Sequence, residues 1–210
     1  MTVDESPNAF GITVPPSWEE IDLRPLTRDA AVRHMVDKRV QEAPELREHR
    51  TEMVRFLRNT VAQAWDSGAK FCAVFSEPAG EGVIPGTLTV TFLPPAPARP
   101  GEAMVDAITD QLQQSPAPAG EGVWQTLTMT ELSQAGTAVQ VYGVRDIDLN
   151  HEGYQVRAVV MNTFIPTDAG VLLVAGTSPA LDVADALFEL FAAVTDTLTL
   201  HALGPEEDDA

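Results

Sequence analysis

Residues 86–92, GTLTVTF, alternate strictly, with Leu88, Val90 and Phe92 on one side and Thr87, Thr89 and Thr91 on the other. Successive side chains of a strand point to opposite faces, so this pattern predicts a half-buried antiparallel strand. Similar alternation runs through Trp124–Leu132 and Thr137–Ile147, joined by SQAG at 133–136. It returns in Tyr154–Ile165 and Gly170–Thr177, turned by PTDA at 166–169. Two hairpins are expected there. Ala69–Ser76 is a more uniform apolar run and reads as a further strand. Near the start, Phe10–Val14 and Ser17–Leu23 form two short extended pieces around Pro15-Pro16. Proline cannot donate to a ladder, so the pair marks a turn or a sheet edge.

Other stretches carry the 3.6-residue period of helices. One is predicted over Arg28–Glu42, capped by Thr27 or Asp29 and interrupted at Ala43-Pro44. A second is predicted from Glu45 to Ser67, with Gly68 closing it. On it Leu46, Met53, Leu57, Val61 and Ala64 share one arc, and Glu45, Glu48, Glu52, Asn59 and Gln63 the opposite one. Glu102–Gln114 follows, with Met104, Val105, Ile108 and Leu112 inward. A last helix starts near Ala180 or Asp182 and repeats Val183, Leu187, Leu190, Phe191, Val194 and Leu198. Consecutive strands with tight turns favour antiparallel pairing. The fold class expected is therefore α+β, an antiparallel sheet of about six or more strands flanked by helices, α/β/α sandwich-like. One domain spans 10–203, after a flexible leader (1–9) and before an acidic, disordered tail (204–210).

Charge narrows the partners. The 210 residues hold 31 Asp/Glu against 13 Lys/Arg, a net charge of −18. Phosphate binding needs a basic footprint, so nucleic acid and an anionic membrane surface are not expected. The bases are concentrated early, with 9 Lys/Arg and 11 Asp/Glu in residues 1–58 but 4 and 20 in the remainder. Neither a signal peptide nor an apolar span is legible, which makes cytoplasm the default. Cys72 is the single cysteine, set in the apolar run AKFCAVF, and is expected to be a buried, inert thiol.

Candidate chemistry is sparse. In DIDLNHEGYQ (146–155), Asp146, Asp148 and Asn150 alternate like the start of a calcium loop. Position six is His151 rather than glycine, however, and position twelve is Arg157, a cation where the chelating carboxylate belongs. A turn is expected instead, with Asn150 and Gly153 suited to it. His34, His49, His151 and His201 show no metal-ligand spacing, and none of the seven serines lies in a nucleophile elbow. Ser178 is read as a helix cap or a residue just ahead of one. With no glycine-rich phosphate loop either, we expect no enzyme, no metal and no cofactor.

The least ordinary feature is the arginine set of the second helix. Arg47, Arg55 and Arg58, with Trp65 further along, are candidate partner-binding residues, because Arg beside an apolar stripe suits a protein-binding face. Glu48 and Glu52 at helical spacing nevertheless favour the alternative of a solvated, ion-paired face. A second candidate surface is a threonine-rich sheet face, Thr87, Thr89, Thr91, Thr126, Thr128 and Thr130.

The chain opens FGITVPPSWEEIDL, a strand, a proline break and a tryptophan. It closes VLLVAGTSPALDVADALFELFAAVTDTL, a strand leading into an amphipathic helix with Phe188 and Phe191. In this order of elements it resembles the PsbP-like α/β/α sandwich superfamily. That group includes an extrinsic photosystem II subunit, a Ran-binding nuclear import factor and bacterial proteins without assigned chemistry. The resemblance implies a binding or assembly module and assigns no residue a role. The expectation is a non-catalytic cytoplasmic protein that binds another protein. The alternatives are a small-molecule-binding domain or hydrolase with a pocket between sheet and helices, and a secretion-system accessory or chaperone.

Overall fold

The computed structural model describes residues 8–42, 44–79, 82–99, 101–116, 119–150 and 154–202. Most of the expected leader and all of the expected tail lie outside them, as do His151, Glu152 and Gly153. In chain order the elements are β1 (Asn8–Gly11), β2 (Glu19–Glu20), α1 (Arg28–Glu42), α2 (Arg50–Asp66), β3 (Ala69–Ala79), β4 (Gly82–Leu93) and α3 (Met104–Gln114). There follow β5 (Trp124–Leu132), β6 (Gly136–Asn150), β7 (Tyr154–Thr167), β8 (Gly170–Ser178), α4 (Ala184–Asp196) and β9 (Thr199–Ala202).

Seven strands form one antiparallel sheet in the order β2-β3-β4-β8-β7-β6-β5. The hairpins expected from the alternating segments are all present, and β8 closes the sheet against β4. Helices cover both faces, as the α+β sandwich reading requires. On one face Leu187, Phe191, Val194 and Leu198 pack onto Leu88, Val90, Val159, Met161, Leu172 and Val174. Phe191 seats its ring over Gly176, where an added Cβ would lie 2.5 Å from Cγ of the ring. On the other face Val32 of α1 and Val61 and Ala64 of α2 bury Cys72 and Val74. Ile108 of α3 covers Val139 and Val171 further along that same face. Removing this much apolar surface from water is what holds the layers together.

α1 matches its expected bounds. Thr27 precedes it, its carbonyl accepting the Ala31 N–H at 3.0 Å, while its hydroxyl donates to Asp22 at 2.7 Å. α2 starts later than expected, because Pro44–His49 forms a 3-10 turn and the α-helix begins at Arg50. α4 is likewise preceded by a 3-10 turn, Leu181–Val183. Ser178 therefore lies well ahead of the helix. It is buried, donates to the Pro85 carbonyl at 2.6 Å and accepts the Ala180 N–H at 3.2 Å.

Two expectations need correcting. Leu198 follows the helical spacing but sits past α4, and Thr199–Ala202 is a strand paired antiparallel with β1. The threonine-rich face is in fact two faces. The row through Thr89 runs by Ala175, Asn162 and Val141 to Leu127, whereas Thr128 lies in the row of Gln140, Thr163, Val174 and Val90. Thr87, Thr89 and Thr91 thus look toward α1, α2 and α3, and Thr91 is buried. Thr126, Thr128 and Thr130 look toward the α4 side.

Candidate functional site

α1 and α2 run antiparallel, fixed at two points along their seam. Arg50 Nε donates to Asp37 at 2.6 Å, and Arg58 bonds Asp29. The Arg50 guanidinium draws the Asp37 carboxyl below its ordinary value. α2 is buried unevenly along its length. At one end Val61 and Ala64 are fully seated; at the other Met53 and Leu57, on the same arc of α2, are only half-buried.

Beneath Met53 and Leu57 lies a cavity of about 440 Å³. At liquid density this would hold about fifteen waters, and it falls in the range of small-molecule sites. α1 supplies Met35 and Val36 to its wall, β3 supplies Val74, and the Pro16–Glu19 segment supplies Pro16 and Trp18. Trp18 is held in place by stacking on Phe75, ring centroids 4.5 Å apart. The wall is thus mainly apolar, with two flexible thioethers able to conform to an occupant.

Polar groups line the rest of the pocket. Lys38 Nζ meets Glu19 at 2.7 Å, which holds the ammonium above its ordinary pKa. Arg39 donates through Nη2 to the Ser76 carbonyl at 2.6 Å and reaches Glu42 at 3.3 Å. The Ser17 hydroxyl donates to Glu77 at 2.5 Å. These contacts fix the polar groups at the pocket wall.

The sequence-derived residues sit elsewhere. Arg47 is exposed on the 3-10 turn and Arg55 is exposed on α2. Arg58 is half-buried in its pair with Asp29. Trp65, 42% exposed, is ten residues past Arg55, about 15 Å along the axis. It lines a separate depression with Ile21, Arg24 and Lys70. Sequence reasoning missed the pocket residues Met35, Arg39 and Glu77. Met53 and Leu57 were visible as apolar positions, but nothing local marks the part of that arc left uncovered.

The turn expected at His151–Gly153 lies outside the described residues. The two ends of the calcium-like stretch lie in the paired strands β6 and β7, with Asn150 the last residue of β6 rather than part of a turn. Arg157, the cation at its twelfth position, is the cross-strand neighbour of Asp146. It also donates to the Glu121 carbonyl at 2.7 Å, tying down the loop before β5. Among the described residues no group of three or more His, Cys, Asp or Glu is placed to hold a metal ion. No helix among them is long and apolar enough to cross a membrane. At the β5 end of the sheet, Trp124, Tyr142 and Phe188 form a partly exposed aromatic cluster with centroids 5.0–6.2 Å apart.

No family model matches the chain, and no curated protein matches it. Among solved structures it is similar to the crystal structure of LpqN, involved in cell envelope biogenesis of Mycobacterium tuberculosis. That likeness has a TM-score of 0.43 at 12% identity, over 92% of this chain and 83% of that one.

Proposed function

We propose that this chain is a non-catalytic binding protein whose pocket between the α1–α2 pair and the sheet takes a small, largely apolar molecule. The observation that carries this reading is the 440 Å³ cavity under Met53 and Leu57, where an apolar wall meets a few fixed polar groups. The test is titration with the neutral fluorophore N-phenyl-1-naphthylamine, whose emission rises in apolar surroundings. Saturable binding that disappears when Leu57→Trp fills the cavity supports the reading. Binding that survives Leu57→Trp in a variant that still melts cooperatively, or no binding at all, overturns it.

A second reading, contact with another protein, draws on the exposed Arg47 and Arg55. Reversing both to Glu should abolish capture of that partner from native lysate. Unchanged capture would remove this surface from consideration.

A further inference from the structure

Resting on the pocket reading above, we propose that the occupant is an amphipathic cation, an apolar body carrying an ammonium head, rather than a fatty acid or other organic anion. The pocket's charge pattern leads there. It is lined by two cations, Lys38 and Arg39, and three carboxylates, Glu19, Glu42 and Glu77. Lys38 Nζ and the two outer nitrogens of Arg39 are already engaged within the protein. The remaining Arg39 nitrogen, Nε, is buried without a hydrogen-bond partner among the described residues and closed to an incoming group. Lys38 is held by Glu19 at 2.7 Å, and Arg39 by the Ser76 carbonyl at 2.6 Å and Glu42 at 3.3 Å. An incoming carboxylate would have to break those contacts and lie beside their acids.

Glu77 is in the opposite position. One of its oxygens accepts the Ser17 hydroxyl at 2.5 Å, and no cation is paired with it among the described residues. It stands on β3 at the pocket wall with Ser17 on the facing segment, so a ligand ammonium could complete its hydrogen bonding. Half-enclosed surroundings strengthen such a charge-assisted bond relative to open water. The long-range field has the same sign, because the chain carries −18 overall and draws cations toward any mouth lined with carboxylate. Met35, Met53, Leu57 and Val74 would then hold the apolar body, with the thioethers adjusting to its width.

The experiment uses the full chain loaded with N-phenyl-1-naphthylamine and displaces it with n-decylammonium, n-decanol or n-decanoate, each below its aggregation threshold. Chain length is constant, so differences report the head group. Decylammonium should displace at about tenfold lower concentration than decanol, the size of one charge-assisted hydrogen bond, with decanoate weakest. Glu77→Gln keeps an acceptor for Ser17 and should erase the amine's advantage over decanol. Decanoate equalling or beating decylammonium, or an undiminished advantage in Glu77→Gln, would overturn the head-group assignment alone. Failure of all three to displace a probe that Leu57→Trp also leaves bound overturns the pocket reading, and this inference with it.

Discussion

Asp146 and Arg157 face each other across β6 and β7, with Arg157 Nε donating to Oδ1 at 2.8 Å and Nη2 to Oδ2 at 3.0 Å. The two-pronged bond explains why a cation stands where a calcium loop would need a carboxylate. It also holds the Asp146 carboxyl below its ordinary pKa of 3.8. The contribution of such a group is complete above the unfolded-state pKa and is lost as pH falls through the lower folded value. Asp22, Asp37 and Asp196 are lowered in the same way, by Arg24, Arg50 and Ser133 respectively. Urea midpoints should therefore hold steady from about pH 7 to 5 and fall below about pH 4. Asp146→Asn should lower the midpoint near neutrality and converge with the parent chain in strong acid. Parallel curves at every pH would refute the assignment.

Gly176 is required by the ring of Phe191, which occupies the space of its missing Cβ. Gly176→Ala should cost about 1–3 kcal/mol by overpacking. Phe191→Leu in the same chain should recover part of that loss by vacating ring volume. Urea unfolding of the two single variants and the double variant measures the coupling, and simple additivity would show that the ring yields freely.

Cys72 is fully buried beneath the α1–α2 pair, and burial pushes its thiol pKa up to about 12. The native protein should not react with a disulfide reagent near pH 8, since thiolate is the nucleophile and this one is neither formed nor reachable. Labelling should appear only with unfolding. Rapid labelling of folded protein would mean that α1 and α2 lift away from the sheet.

β9 covers one flank of Phe10, whose ring also meets Phe92 edge-on at 5.9 Å. A chain ending at Leu198 should be less stable than one ending at Leu203 by about 1–3 kcal/mol, the value of a partly buried apolar pair such as Phe10 and Leu200. Equal melting of the two lengths would show that β1 is held without its partner.

Much of the scaffold was legible because its signals are local. α1 obeys its spacing and its Pro44 stop, and β5 through β8 alternate as the pleat demands. β9 was hidden because Leu198 continues the spacing of α4, so the strand was absorbed into a helix. Pleat parity misled in another way. Alternation shows which threonines share a face within one strand, but only pairing across β8, β7 and β6 shows that Thr89 and Thr128 oppose each other. Arg58 looked like a surface residue until α1 brought Asp29 to it. The pocket was least visible of all. Its wall joins Trp18, Met35, Met53 and Val74 from four segments, at the end of α2 where Met53 and Leu57 are less buried than Val61 and Ala64.

The β1–β9 ladder aligns Asn8 with Ala202 and Gly11 with Thr199, so the described ends leave the domain side by side. Tension applied through residues 8 and 202 would therefore load its backbone bonds one at a time, like a fastener opened from its tab. This two-stranded clasp would peel at low force and lengthen the tether slightly, before any strand of the main sheet bore strain.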